Sequence, residues 1–140
     1  MLLLEYWKQI PGSDRYEASY SGKIRHLGKV DGVGRYKYTW VPPQIVNGRI
    51  SGGYIRICVS EYGKTNEVFA HVLIGKTFIP NPDNLPEINH LNADKFDNRA
   101  CNLEWCTRKQ NMQHASKMGL LKNVGRKKKA PANNRQGANP

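Results

Sequence analysis

The stretch that decides the fold is residues 71–115, which read HVLIGKTFIPNPDNLPEINHLNADKFDNRACNLEWCTRKQNMQHA. Apolar residues at 72, 73, 74 and 78 predict a short helix over 71–78, which ends before the prolines at 80, 82 and 86. Beyond the prolines the pattern predicts a strand over 87–90, a polar loop over 91–102 and a second strand over 103–106. A helix follows, because Thr107 and Gln110 form the pattern of a capping box, and Gly119 is a suitable terminator.

This order of strand, loop, strand and helix predicts a meeting point for polar side chains. Asn89 and His90 end the first strand. Asn111 and His114 are three residues apart and therefore share one face of the helix. We expect side chains from both elements to converge on one site.

The part of the chain before residue 71 is predicted to be rich in β-strands. Residues 5–27 alternate apolar stretches with turn formers, which indicates short strands in a small β-rich unit. Residues 28–49 are predicted to be irregular, although Tyr36, Tyr38 and Trp40 alternate as one face of a strand would. Residues 54–60 and 65–70 flank the turn signal EYGK, which predicts a β-hairpin.

Charge and composition restrict the partners. The net charge of +11 lies mostly behind residue 104, where nine Lys/Arg and no Asp/Glu occur. A polyanion suits such a segment, and nucleic acid is the commonest one. No apolar run reaches the roughly 18 residues of a membrane span, and the start of the chain lacks the basic flank and cleavage site of a signal peptide. We expect a cytoplasmic protein, in the host cell if the gene belongs to a phage, with no membrane partner and no small-molecule organic cofactor.

The motifs of residues 71–115 resemble the HNH domain of phage and intron-encoded homing endonucleases. The elements NH, DN, NLEW, T and N-x-x-HA occur in the family's order. Residues 5–27 are similar to a small module that often precedes this HNH type. The resemblance implies an α+β fold, with a β-rich unit over 1–50, a hairpin and ββα-metal nuclease motif over 51–119, and a basic tail over 120–140 that we expect to be disordered.

The resemblance also implies roles for individual residues. His90 matches the general base, and Asn102 matches the middle Asn of the motif, which would hold the loop and fix the histidine through hydrogen bonds. Asn89 and Asn111 match metal ligands, His114 a ligand or phosphate contact, and His71 a recurring histidine for which a structural role is equally open. The basic residues expected to contact DNA are Arg108, Lys109, Lys117, Arg126, Lys127, Lys128 and Lys129.

These residue types suit hydrolysis of a phosphodiester bond. An imidazole with a pKa of about 6.5 can activate water, and oxygen ligands suit Mg²⁺ or Mn²⁺. Because Asn stands at position 89, the site has no certain carboxylate, although Asp94 could contribute. We therefore expect weak metal binding without DNA. One such site in a monomer or weak dimer predicts nicking of double-stranded DNA, with 5′-phosphate and 3′-hydroxyl products implied by the resemblance.

Other interpretations remain open at this point. Asn89 also favours a catalytically silent DNA-binding protein on the same scaffold, whereas an RNA-binding or ribosome-associated protein is supported by charge alone. Cys101 and Cys106 with a nearby histidine could bind zinc, but no second cysteine pair exists, and reduced thiols are favoured. The aromatic residues are first of all candidates for the core rather than for base stacking; they are Trp7, Tyr16, Trp40 and Trp105.

Overall fold

A computed structural model describes residues 5–32 and 38–121 of the chain. The N-terminal strands are β1 (Trp7–Gln9), β2 (Tyr16–Ser19), β3 (Ile24–His26), β4 (Lys29–Gly32), β5 (Tyr38–Val41), β6 (Gln44–Ile45), β7 (Arg49–Ser51), β8 (Tyr54–Glu61) and β9 (Lys64–Phe69). They are followed by α1 (Ala70–Phe78), β10 (Glu87–His90), a 3₁₀ turn (Ala100–Asn102), β11 (Leu103–Cys106) and α2 (Arg108–Lys117).

The N-terminal unit is a four-stranded antiparallel sheet with the order β1-β2-β3-β6, accompanied by the two-stranded sheet of β4 and β5. The predicted short strands of residues 5–27 are confirmed. The prediction that residues 28–49 are irregular is wrong, because four strands begin in this segment. β4 and β5 pair with each other, whereas β6 pairs with β3 and β7 with β8, which local composition does not reveal.

The predicted hairpin is confirmed and belongs to a three-stranded sheet with the order β7-β8-β9. Glu61 pairs with Lys64, so Tyr62 and Gly63 form a two-residue turn, with φ of 50° and 75°. Such a turn requires φ > 0 at both central positions, which glycine adopts without strain. The sheet ends directly at α1, and this connection places His71 in the first turn of the helix.

One hydrophobic core joins the N-terminal sheet to the C-terminal motif. Helix α1 contributes the fully buried Ile74, and it contacts β2, β8, β9, β10 and β11. The core residues come from both parts of the chain; they are Ile10, Tyr16, Ala18, Ile24, Ile57, Ala70, Leu73, Ile74, Ile88, Ala100 and Leu103. The Tyr16 hydroxyl also accepts a hydrogen bond of 2.9 Å from the Ser60 backbone N–H. Burial of this shared apolar surface fixes the two parts against each other.

The C-terminal motif is an antiparallel pair of strands followed by a helix. In the β10–β11 pair, His90 lies opposite Leu103. The predicted capping box begins α2, since the Thr107 hydroxyl accepts from the Gln110 backbone N–H and the Gln110 side chain accepts from the Thr107 N–H. The chain leaves the helix at Gly119, where φ is +67°. The α+β architecture predicted from the sequence is therefore confirmed.

In the part of the chain that the structure describes, neither helix has the length and apolar character needed to cross a membrane. The predicted disordered tail lies outside the described residues from position 122 onward, as do the first four residues and Tyr36. The side chain of Trp40 is likewise outside what is described.

Candidate active site

His90 occupies the last position of β10 and is 4% exposed. Its Nε2 lies 3.0 Å from Oδ1 of Asn98, a residue of the loop between the two strands. Because an amide oxygen only accepts, Nε2 carries the proton of the neutral ring and donates it to this bond. Nδ1 then holds the lone pair, so the imidazole is prepared to accept a proton at one defined atom.

Asn102 holds the loop rather than the histidine. Its side chain donates to Oδ1 of Asn92 at 2.9 Å and to the backbone oxygen of Asp97 at 2.8 Å, and it accepts from the Asn92 N–H at 3.0 Å. Among the described residues Asn102 makes no hydrogen bond to His90, whose Nε2 donates to Asn98 instead. The hydrogen-bonding groups of the Asn102 side chain are all used within the loop. The closed loop places Asn98 against the His90 ring.

The loop that carries Asn98 rests on the N-terminal sheet. Gly22, with φ of +93°, packs so closely that a Cβ there would lie 2.8 Å from the Asn98 carbonyl carbon and 2.9 Å from the Arg99 nitrogen. The Ala100 N–H also donates to the Tyr20 carbonyl at 3.0 Å. The orientation of His90 therefore depends on a turn almost seventy residues earlier in the chain.

His71 lies beside His90 in an aromatic environment. The two ring centroids are 5.0 Å apart, and the rings of Tyr54 and Phe69 lie 5.3 and 5.4 Å from that of His71. His71 is 7% exposed, and its Nδ1 has no hydrogen-bond partner among the described residues. Burial first, and then the proximity of His90, lowers the pKa of His71 to about 4, so this ring is neutral at physiological pH.

Asn89 and Asn111 each donate a side-chain hydrogen bond to a glutamate. Nδ2 of Asn89 donates to Oε1 of Glu104 at 2.9 Å, and Nδ2 of Asn111 donates to Oε2 of Glu87 at 2.7 Å. Glu104 lies directly opposite Asn89 in the strand pair. Two carboxylates therefore lie beside the two amides. The sequence-based expectation had assigned no certain carboxylate to this site.

The four predicted residues of the strand and the helix line one cleft of about 220 Å³; they are Asn89, His90, Asn111 and His114. Nε2 of His114 lies 3.2 Å from the Leu91 carbonyl oxygen. Tyr54 and Lys95 form another part of the wall, where the Lys95 ammonium lies 4.4 Å from the centre of the Tyr54 ring. Asp94 is not among the lining residues, and its Oδ1 accepts from the Phe96 N–H.

The donor atoms on this cleft fit a hard divalent cation. No group of three or more His, Cys, Asp or Glu side chains that could hold a metal occurs within residues 5–32 and 38–121. A site here would therefore depend on the amide oxygens of Asn89 and Asn111, with a phosphate completing it. Such neutral oxygen ligands suit Mg²⁺ or Mn²⁺ and do not suit zinc. The three cysteines are free thiols, of which Cys106 is buried and has a raised pKa because of that burial.

The basic residues predicted to contact DNA are only partly described. Arg108, Lys109 and Lys117 are exposed on α2. Arg126, Lys127, Lys128 and Lys129 lie outside the described residues. Of the aromatic candidates, Tyr16 is a core residue, and Trp105 donates from Nε1 to the Ile79 carbonyl at 3.0 Å.

Sequence reasoning missed Asn98, Glu104, Glu87 and Lys95 as neighbours of the site. A signal existed for Asn98, which belongs to the DN element of the motif. Glu104 would follow from Asn89 if the strand register were known, since the two are cross-strand partners. No sequence signal places Lys95 over Tyr54.

Comparison with known families identifies both parts of the chain. Residues 68–113 match the HNH endonuclease family, and residues 5–63 match the NUMOD4 motif. The resemblance to HNH endonucleases is therefore confirmed, and the second match covers the module expected before it. The C-terminal part of the chain is thus similar to HNH endonucleases and the N-terminal part to the NUMOD4 motif.

Two relatives come from Acanthamoeba polyphaga mimivirus. The uncharacterized HNH endonuclease L247 is 33% identical over 84% of this chain, and the uncharacterized HNH endonuclease L245 is 42% identical over 44% of it. The chain spans only 27% and 19% of the lengths of these relatives. A solved structure of the HNH homing endonuclease I-HmuI shares the fold, with a TM-score of 0.63 and 24% identity, over 84% of this chain and 61% of that one.

Proposed function

We propose that the protein is a metal-dependent endonuclease that nicks double-stranded DNA. The observation that carries the proposal is the buried His90, which is held at Nε2 by Asn98 and lines one cleft with Asn89 and Asn111. A general base must present an unprotonated nitrogen at a fixed position, and Nδ1 of His90 meets this requirement. The match of residues 68–113 to HNH endonucleases supports the same reaction.

In the proposed reaction Nδ1 of His90 takes a proton from water as the water oxygen attacks phosphorus. The bond between phosphorus and the 3′ oxygen breaks with its electron pair going to that oxygen, which takes a proton from solvent water. The products carry a 5′-phosphate and a 3′-hydroxyl. A cation held by Asn89 and Asn111 would supply stabilisation of the charge on the phosphate and on the departing oxygen. His114 is the proposed phosphate contact or further ligand, and Asn102 keeps the loop closed around the site.

Neighbouring groups support the proposed chemistry. His71 remains neutral beside His90, so it adds no positive charge that would oppose protonation of the base. Lys95 and the exposed cations of α2, Arg108, Lys109 and Lys117, would attract the DNA backbone. Lys and Arg contacts to phosphate release counterions, so DNA binding should weaken as salt rises.

The test is conversion of supercoiled plasmid to open circles with Mg²⁺ or Mn²⁺. We expect nicking by the unaltered protein, and its loss in His90→Ala and Asn111→Ala with melting temperatures close to that of the original. Lys64→Ala, at the exposed first residue of β9, is the surface control. No nicking with either metal, together with salt-sensitive DNA binding, would instead indicate a catalytically silent DNA-binding protein on this scaffold.

A further inference from the structure

The two Asn–Glu pairs beside the cleft have the same arrangement. Glu87 and Asn89 are two residues apart on β10 and therefore project from one face of the strand, and Glu104 is the cross-strand partner of Asn89 on that face. Asn111 reaches the same face from α2 through its hydrogen bond to Glu87. Each amide thus has its own carboxylate.

An amide can present either of its two ends to a cleft, but only its oxygen can bind a cation. A carboxylate only accepts hydrogen bonds, so it selects the Nδ2 end of the amide and leaves Oδ1 at the opposite end. Within the described residues no group donates a hydrogen bond to Oδ1 of Asn89 or of Asn111. The two oxygens are therefore the available ends of both side chains.

We propose that Glu104 and Glu87 are positioning residues that hold the oxygens of Asn89 and Asn111 ready for a divalent cation. This inference rests on the proposed function. Neither carboxylate is proposed to bind the cation directly. Groups that orient ligands in this way commonly change metal affinity by about 10–100-fold when removed.

The proposal differs from a purely structural role in what should happen when the amide is replaced. A carboxylate at position 89 presents an oxygen whichever way it turns, so it needs no partner to orient it. In Asn89→Asp, moreover, Glu104 faces a like charge rather than an amide N–H. Removal of Glu104 should therefore weaken metal binding only when Asn89 is present.

The experiment is a double-mutant cycle of Glu104→Ala and Asn89→Asp. Mn²⁺ binding to the protein is measured from loss of the free-ion signal in electron paramagnetic resonance, and the half-saturating Mn²⁺ concentration is measured in plasmid nicking. We expect Glu104→Ala to raise both by about tenfold in the original background. In the Asn89→Asp background we expect no increase. Glu67→Ala, which removes a carboxylate paired with Arg49 on the β7–β8–β9 sheet, is the control and should change neither value.

Each result decides between the two proposals. An equal increase in both backgrounds, or none in either, would overturn the positioning role of Glu104 while nicking by the unaltered protein upholds the proposed function. If the unaltered protein neither binds Mn²⁺ nor nicks DNA, the proposed function is wrong and the inference falls with it. Glu87→Ala, measured with Asn111→Asp, applies the same reasoning to the second pair.

Discussion

Lowering the pH from 7.5 to 5 should destabilise the protein, and we expect His71 alone to account for about 2 kcal/mol of that loss. The side chain is 7% exposed, and its folded-state pKa of about 4 lies below the ordinary value of 6.5 because the charged ring would be buried near His90. The unfolded chain therefore takes up a proton first as the solution is acidified. The contribution of His71 to stability is complete above pH 6.5 and is lost as the pH falls toward 4.

The magnitude follows from the two pKa values. Their difference sets a ceiling of about 3 kcal/mol below pH 4, of which about 2 kcal/mol is reached at pH 5. The comparison variant is His71→Phe, which retains a ring against Tyr54 and Phe69 but cannot titrate. His26, His90 and His114 are present in both proteins, so the difference between them reports on His71 and its interaction with His90.

Urea unfolding of both proteins at pH 7.5 and pH 5, followed by tryptophan fluorescence, measures the effect. The free energy of unfolding should fall by about 2 kcal/mol more in the original protein than in His71→Phe. Parallel losses in the two proteins would refute the reasoning, because they would mean that His71 is solvated enough to accept a proton in the folded state.

Three further changes test other parts of the structure. Asn98→Ala should slow nicking by about tenfold or more without a change in the Mn²⁺ requirement, because nothing then holds the His90 proton on Nε2. An unchanged rate would exclude the orienting role of Asn98. Gly75→Ala should lower stability by about 1–3 kcal/mol in thermal melts, since the added methyl group collides with the Ile88 side chain, and a stability equal to that of the original would contradict this packing. Thr107→Ala should cost about 1 kcal/mol through loss of the capping box, and Thr107→Ser should restore most of it.

The local elements of the C-terminal motif could be predicted from the sequence because their signals are local. The prolines that end α1, the capping box at Thr107 and the spacing of Asn111 and His114 all act within a few residues. The strands of residues 28–49 could not be predicted in the same way. β6 is a strand because it meets β3, and a segment of two residues carries no pattern of its own.

In the candidate site, too, some features have a local sequence signal and others depend on long-range contacts. His90, Asn89 and Asn111 stand out by residue type and spacing, and the cleft contains all three. The partners of these residues depend on register and loop closure, which no short pattern contains. Asn98 approaches His90 only after the loop has folded back, and Glu104 adjoins Asn89 only in the register that pairs His90 with Leu103.

The contact of Gly22 with the Asn98–Arg99 backbone has a consequence for how such a protein can be rearranged. The segments that match NUMOD4 and HNH endonucleases cannot be exchanged as independent cassettes, because the loop that orients His90 is braced by the first segment. A chimera built by transplanting residues 68–113 alone would contain His90 but would lack the N-terminal surface that supports its loop. Any productive recombination of this chain has to carry the turn around Gly22 together with the HNH motif.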